Sequence, residues 1–248
     1  MAQSPAPSAA AGPRLHWELR YWLELARLLA DRDFVFPRRD GGAPPVLLVP
    51  GFLAGDASLS ILRDWLRRRG STTATAGIRL NVDCGERAVR GVEIRLQQLS
   101  ERCRRPVAVV GQSRGGALAR VLAVRNPDLV GGLVMLGSPV LDPLSVGASV
   151  LSAVRSMGRL GDLGVPGVFS RQCSDGPCCA EFRGDLTRPL PESVRAIAIY
   201  SHSDGIVSWP ACLDAYARQV EVSSSHCGMS VNRAVYRVLD QFLEQEMA

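Results

Sequence analysis

The chain contains no lysine, only three histidines and no long apolar run. All 29 of its basic residues are arginines, which leave a net charge of +5 against 24 acidic residues. Because no apolar run approaches the roughly 18 residues that a membrane-spanning helix requires, no transmembrane segment is expected. The 248 residues are 46% hydrophobic and 21% charged, which excludes a largely disordered or collagen-like chain. We expect one globular domain that folds without depending on disulfides or metal ions.

Arginines are concentrated in two short tracts, at residues 67–69 and 102–105. Such tracts occur in nucleic-acid-binding proteins, but no zinc-finger, homeodomain or aromatic-stacking signature accompanies them. Each tract ends a predicted amphipathic helix, where cations complement the helix dipole and arginine lies on the solvated face. We therefore expect no nucleic-acid partner.

Residues 1–13 are rich in alanine, proline and serine and are predicted to form a disordered tail. They contain no basic stretch followed by an apolar core, so no signal peptide is visible and a cytoplasmic location is expected. A secreted chain whose signal had been removed would look the same. The oligomeric state is left open.

The seven cysteines show no zinc-binding spacing, and neither a metal nor a cofactor is expected. Cys173, Cys178 and Cys179 are clustered in a stretch rich in glycine, proline and serine. A metal site there is the less favoured interpretation, since no histidine follows at finger spacing. A local disulfide is the alternative, and it would indicate an oxidising compartment.

Short apolar runs alternate with helical patterns along most of the chain. This order predicts an α/β fold with a mostly parallel, doubly wound sheet flanked by helices, in one domain spanning residues 14–248. The predicted strands are residues 46–49, 72–80, 107–110, 133–136, 196–200 and 220–222. The predicted helices are residues 15–30, 56–69, 86–104, 117–125 and 231–245.

Two segments stand apart from this alternation. The helix at residues 15–30 has apolar positions at Leu15, Leu19, Trp22, Ala26 and Leu29, and we expect that face to pack on the domain. A substrate-entrance helix or a membrane-surface helix are the alternatives. Residues 139–191 are too long for a plain connection and are predicted to form a cap or lid insertion.

A Gly-Gln-Ser-Arg-Gly motif at residues 111–115 lies between a predicted strand and a predicted helix. This is the Gly-x-Ser-x-Gly pattern of a nucleophile on a sharp strand-to-helix turn, which requires small residues two positions before and two positions after the serine. The helix that follows favours a developing anion near its N-terminus. Ser113 is therefore the candidate nucleophile.

A serine hydroxyl needs a base, and the base needs a carboxylate to orient it. With this turn the expected chain order is serine, acid, histidine, each after a strand. Asp204 and His226 follow two predicted strands in that order, whereas His16 lies too early and His202 directly precedes the acid. Cys212 and Cys227 each come shortly after one of these two residues, and a disulfide between them is a further hypothesis.

The loop at residues 49–55 follows the first predicted strand and supplies a candidate oxyanion hole. The backbone N–H of Phe52 would pair with that of Arg114, the residue after the nucleophile. Their neighbours Leu53 and Gln112 are the candidate substrate-binding residues. The Arg114 side chain has two interpretations, an anion-binding group at the pocket floor or a partner in an ion pair pointing away.

Three stretches of the chain, residues 46–52, 200–213 and 225–229, resemble the α/β-hydrolase family. Within that family they are similar to actinobacterial lipase and esterase-type hydrolases. The resemblance runs from about residue 45 to the C-terminus. It implies an α/β-hydrolase fold and assigns the nucleophile, acid and base to Ser113, Asp204 and His226.

The expected function is that of a serine hydrolase that cleaves carboxylic esters of small molecules or lipids through an acyl-enzyme. An acyltransferase, or a thioesterase or cyclase of a biosynthetic pathway, would use the same acyl-enzyme with another acceptor. A binding module built on a hydrolase scaffold is the non-enzymatic alternative.

Overall fold

A computed structural model of the chain describes residues 13–245 and 247. Apart from Pro13, the tail predicted at residues 1–13 lies outside the described residues. The strands are β1 (Val46–Val49), β2 (Thr73–Thr75), β3 (Val107–Gln112), β4 (Val130–Leu136), β5 (Arg195–Tyr200) and β6 (Arg218–Glu221). The α-helices are α1 (Tyr21–Leu29), α2 (Arg32–Val35), α3 (Ser60–Arg69), α4 (Gly85–Cys103), α5 (Arg114–Arg125), α6 (Ala148–Asp162), α7 (Gln172–Asp175), α8 (Ala180–Thr187) and α9 (Arg233–Gln245). Short 3-10 helices cover Leu15–Arg20, Asp56–Leu59, Pro177–Cys179, Trp209–Cys212 and Cys227–Val231.

The six strands form one sheet in the order β2-β1-β3-β4-β5-β6, and every neighbouring pair is parallel. This confirms the predicted parallel α/β sheet. The chain moves outward from β1 to β2 and then returns to place β3 on the other side of β1. Ligands of open parallel sheets bind outside the carboxyl ends of the strands at such a switch in strand order. The loops after β1 and β3 lie at this switch.

Helices cover both faces of the sheet, which explains why its strands are continuous apolar runs. In β1, Val46 and Leu48 pack on one face with residues of α3 and α9. Leu47 and Val49 pack on the opposite face with residues of α4 and α5. Successive side chains of a strand point to opposite faces, so burial on both sides requires an apolar residue at each position.

The strand predicted at residues 72–80 is wrong in length, because β2 contains only three residues. Gly77 has a φ of +77°, a left-handed conformation that directs the chain away from the sheet. Its amide donates to Asp56 Oδ2 at 2.9 Å, which fixes this turn against the start of the Asp56–Leu59 helix.

The packing face predicted for residues 15–30 is wrong. Leu19 and Trp22 of that face are 76% and 71% exposed, whereas Leu28 and Glu24 on the other side are 0% and 4% exposed. The segment is a 3-10 helix followed by α1, and its inner side carries carboxylates that accept hydrogen bonds from a neighbouring loop. Because the apolar periodicity places every carboxylate in solvent, it predicts the wrong packing face for this segment.

In the first arginine tract, Arg67 and Arg68 are exposed as expected, but Arg69 does not lie on the solvated face. The Arg69 side chain is fully buried and pairs with the Asp240 carboxylate and with Glu244, 2.9 Å away, on α9. Arg67 donates to Thr73 Oγ1 at 2.7 Å. These contacts join α3 to α9 and to β2, because a buried arginine requires charged or polar partners. In the second tract, Arg102 and Arg105 are exposed, as expected.

Residues 139–191, between β4 and β5, fold into α6, α7, a 3-10 helix and α8. We call this segment the insertion. Within residues 13–245, the structure shows no helix with the length and apolarity needed to cross a bilayer.

Candidate active site

Ser113 lies on the turn between β3 and α5 with φ 54° and ψ −125°, a strained conformation for a residue with a side chain. The turn is closely packed on both sides. A Cβ at Gly111 would lie 2.4 Å from the Gly115 carbonyl oxygen, and a Cβ at Gly115 would lie 2.3 Å from the Val49 carbonyl oxygen. Both glycines are therefore required for β1, β3 and α5 to approach this closely.

Asp204 and His226 follow the neighbouring strands β5 and β6, and the structure brings them together. Asp204 Oδ2 lies 2.6 Å from His226 Nδ1, and both residues are 4% exposed. The other carboxylate oxygen of Asp204 accepts from the amides of Ile206 at 2.8 Å and Val207 at 2.7 Å. A carboxylate held in this way fixes the imidazole with its proton on Nδ1 and leaves Nε2 to accept a proton.

The pKa of His226 lies above the ordinary value for histidine. Burial by itself would lower this pKa, because it disfavours the charged imidazolium. The negative charge of Asp204 and its hydrogen bond outweigh that effect, and the charge of Glu18 adds to them. The imidazolium is thus stabilised by two carboxylates.

Glu18 and Glu24 hold the loop that carries His226, and neither was predicted from the sequence. Glu18 accepts from the amides of His226 and Cys227, each at 2.8 Å. Glu24 accepts from the Ser225 amide at 2.8 Å and from its hydroxyl at 2.9 Å. The two carboxylates lie about 200 residues earlier in the chain, so no local pattern links them to this loop. The one signal in the sequence is that both are acidic residues within an N-terminal helical segment that is otherwise rich in apolar residues.

The predicted donor loop lies directly against Ser113. A Cβ at Gly51 would be 3.2 Å from Ser113 Cβ, so the loop passes beside the candidate nucleophile. Asn81 holds the loop, since its side-chain amide donates to the Pro50 carbonyl at 2.7 Å. Phe52 and Arg114, the candidate oxyanion donors, belong to this loop and to the first position of α5.

The two predicted substrate-binding residues differ in their surroundings. Leu53 is 44% exposed and has a φ of 57°, which turns the loop just after Phe52. Gln112 is buried, and its side-chain amide donates to the His226 carbonyl at 3.1 Å. Gln112 therefore links the turn that carries Ser113 to the His226 loop.

The Arg114 side chain follows neither interpretation that the sequence suggests. Its guanidinium donates to the side-chain oxygen of Asn81 and to the carbonyl oxygen of Asp83, and it lies 5.8 Å from the centre of the Phe169 ring. Burial lowers the pKa of Arg114, and the charge of Asp83 opposes this shift. Because Asn81 also binds Pro50, Arg114 braces the donor loop.

The seven cysteines are all free thiols in the structure. The hypothetical bridge between Cys212 and Cys227 is therefore not formed, and the three clustered cysteines share no disulfide. Cys84 joins the cluster of Cys173, Cys178 and Cys179, which was not predicted from sequence spacing. The four sulfur atoms of these cysteines are close enough together to hold a metal ion.

No protein-family model and no curated protein matches the chain. Solved structures are similar to it. The mature form of the Bacillus licheniformis lipase BlEst2 has a TM-score of 0.61 at 15% identity, over 84% of this chain and 94% of that one. A monoglyceride lipase from Saccharomyces cerevisiae has a TM-score of 0.61 at 13% identity, over 84% and 90%. The thioesterase domain from the curacin biosynthetic pathway has a TM-score of 0.52 at 13% identity, over 84% and 93%. The chain has the α/β-hydrolase fold.

Proposed function

We propose that the protein is a serine hydrolase that cleaves carboxylic esters, with Ser113 as nucleophile, His226 as base and Asp204 as the group that orients it. The observation that carries this proposal is the buried pair of Asp204 Oδ2 and His226 Nδ1, 2.6 Å apart. The pair lies at the carboxyl ends of neighbouring strands of the sheet whose switch point carries Ser113. A neutral imidazole oriented in this way can accept the serine proton.

The reaction proceeds through an acyl-enzyme. Ser113 Oγ attacks the ester carbonyl carbon while its proton passes to His226 Nε2, and the carbonyl oxygen becomes an oxyanion. Collapse of this intermediate breaks the bond to the alcohol, which takes the proton from His226. Water then attacks the acyl group with His226 as base, and the departing Ser113 oxygen recovers its proton. The carboxylic acid that leaves has one oxygen from the ester carbonyl and one from water.

The oxyanion is stabilised by the backbone N–H groups of Phe52 and Arg114. The brace from Arg114 through Asn81 to the Pro50 carbonyl supports this role, because it fixes the loop that carries Phe52. Donors held in place before the reaction need no reorganisation when charge develops. The N-terminus of α5, which begins at Arg114, adds a favourable dipole.

The substrate is an ester with an apolar acyl group, and the insertion acts as a cap over it. Phe169 of the insertion lies 6.2 Å, ring centre to ring centre, from Phe52 of the donor loop. Leu53, which follows Phe52 in the donor loop, is 44% exposed. Apolar surface of this kind near a polar reaction centre favours lipid-like or acylated small molecules.

Hydrolysis of p-nitrophenyl esters, from acetate to palmitate, tests this function. We expect Ser113→Ala to lower turnover by about 10⁶, since the three groups act as a unit. Ser100→Ala is the matched control, because the Ser100 hydroxyl donates to the Arg105 carbonyl near the C-terminus of α4. A fluorophosphonate probe should label wild type and Ser100→Ala but not Ser113→Ala.

Ester turnover that survives in Ser113→Ala would refute the proposal. Absence of both turnover and labelling in the wild type would favour the non-enzymatic alternative. Labelling of Ser113 without hydrolysis of any of these esters would contradict ester hydrolysis and favour acyl transfer to an acceptor other than water.

A further inference from the structure

Four cysteine sulfurs meet on the side of the insertion that contacts the start of α4. Cys84 immediately precedes α4, whereas Cys173, Cys178 and Cys179 come from the insertion. All four Sγ atoms lie within 4.8 Å of one another. We call these four residues the cysteine cluster.

The sulfurs of the cysteine cluster form a continuous chain of contacts. Cys173 Sγ lies 3.6 Å from Cys178 Sγ, which lies 3.9 Å from Cys179 Sγ, which in turn lies 3.2 Å from Cys84 Sγ. In a tetrahedral zinc site with Zn–S bonds of about 2.3 Å, neighbouring sulfurs are about 3.8 Å apart. A disulfide instead needs its two sulfurs at about 2.05 Å, which would pair two sulfurs and separate them from the rest.

We propose that the cysteine cluster binds one Zn²⁺ as a closed, tetrahedral structural site with four thiolate ligands. Each thiol releases its proton to solvent on binding, and no electron is transferred because Zn²⁺ has no redox chemistry. Four cysteines complete the coordination shell and leave no position for water or substrate. The role is therefore structural and independent of the proposed esterase chemistry.

The surroundings of the cysteine cluster suit a centre with a net charge of −2. The Cys84 sulfur lies at the N-terminus of the 19-residue helix α4, where it interacts with the amides of Glu86 and Arg87. The guanidinium groups of Arg87 and Arg114 interact favourably with the thiolates, while Asp83 pairs with Arg87. Positive groups and helix N-termini stabilise thiolates, the form that binds metal.

A third arginine holds the backbone of the insertion around its three cysteines. Arg183 on α8 donates to the carbonyl oxygens of Cys173 at 3.2 Å, Asp175 at 3.1 Å and Gly176 at 2.8 Å. These hydrogen bonds hold the backbone between Cys173 and Cys178 in place before any ion binds. Ligand preorganisation of this kind lowers the cost of ordering the site.

The position of the cysteine cluster indicates what the metal would stabilise. Cys84 directly follows Asp83, whose carbonyl accepts from Arg114, and the Phe169 amide donates to the Val82 carbonyl at 2.7 Å. A Zn²⁺ ion would thus join the insertion to the segment that braces the donor loop.

Metal analysis of the full-length protein, purified without chelators, tests the proposal. We expect about one equivalent of zinc per chain, as for a structural site, and a mass under non-reducing conditions that corresponds to free thiols. Replacement by Co²⁺ should give the visible absorption of a tetrahedral thiolate complex. Cys84→Ser combined with Cys178→Ser should lose zinc to a chelator that leaves the wild type loaded, and Cys103→Ser, outside the cluster, should keep it.

Several outcomes would overturn the proposal. Wild type without bound metal, even when expressed and refolded with added Zn²⁺, would do so. A mass showing disulfides among the four cysteines, or iron in place of zinc, would also overturn it, as would full zinc retention by the double variant. Because Cys178 is exposed, Cys178→Ser alone serves as a folded variant if Cys84→Ser does not fold. None of these measurements depends on esterase activity.

Discussion

Replacing Glu18 by glutamine perturbs the support of the His226 loop while preserving the shape of the side chain. Glu18 Oε1 accepts from the amides of Gly205 at 3.0 Å and His226 at 2.8 Å, and Oε2 accepts from that of Cys227 at 2.8 Å. In Glu18→Gln the carbonyl oxygen can keep the first two, but the new NH₂ group faces the Cys227 amide, donor against donor. Loss of one charge-assisted hydrogen bond costs about 1.5–3 kcal/mol.

The position of Cys227 sets where in that range the cost falls. Its amide lies in an exposed part of the loop, so water can replace the lost acceptor. We therefore expect the free energy of unfolding to fall by about 1.5–2 kcal/mol. For a domain of this size, that corresponds to a decrease in Tm of about 3–8 °C.

The same substitution removes a negative charge that raises the pKa of His226. His226 must be neutral to act as base, so kcat/KM rises with pH through the pKa of His226 in the free enzyme. Burial lowers this pKa, but the two carboxylates outweigh it, so the wild-type acid limb should lie above the ordinary histidine value of about 6.5. In Glu18→Gln the pKa falls and the acid limb moves to lower pH.

The assay is a pH profile of kcat/KM on a p-nitrophenyl ester, measured together with thermal unfolding. Glu24→Gln is the matched control, because Glu24 holds the preceding residue, Ser225, by its amide and hydroxyl. We expect a lowered Tm in both variants and a displaced acid limb in Glu18→Gln, with Glu24→Gln much closer to wild type. Identical acid limbs in the wild type and in Glu18→Gln would refute the reasoning.

Two further tests probe the pair of Asp204 and His226. Asp204→Asn should lower kcat by about 10⁴, because the amide cannot hold the required imidazole tautomer; near-normal turnover in the folded variant would contradict the assigned role. Gly137→Ala and Gly164→Ala both place a side chain at positive φ, 54° and 82°, at a cost of about 1–2 kcal/mol. A Cβ at Gly137 would lie 3.1 Å from His226 Nδ1 and 3.2 Å from Asp204 Oδ2, whereas one at Gly164 meets nothing within 4 Å. We expect Tm to fall in both glycine variants and kcat to fall only in Gly137→Ala. Equal kcat values in the two variants would contradict the role assigned to the pair of Asp204 and His226.

The sheet could be predicted from the sequence because its strands are buried on both faces. Every residue of β1 and of β3 is buried, so each strand is a visible apolar run bounded by loop residues. Parallel pairing follows from the helices between the strands. The length of β2 could not be predicted, because Gly77 and its contact with Asp56 end the strand inside an otherwise β-prone stretch.

That Asp204 and His226 lie together could be predicted, because each follows a strand and the carboxyl ends of parallel strands share one edge of the sheet. Their supports could not. Glu18 lies 208 residues before His226, and Cys84 lies 95 residues before Cys179. Contacts between residues so far apart leave no trace in periodicity or motif spacing.

These supports explain how loops at the ends of strands can hold the proposed reacting groups in place. The N-terminal helix fixes the His226 loop through Glu18, and the Asn81–Arg114 contact fixes the donor loop. Small displacements of reacting groups cost large factors in rate, so loops that carry them must be rigid. Backbone hydrogen bonds of the sheet end where those loops begin, so side chains supply much of the remaining order. Segments that contribute no strand, the N-terminal helix among them, therefore help to set the geometry of the candidate site.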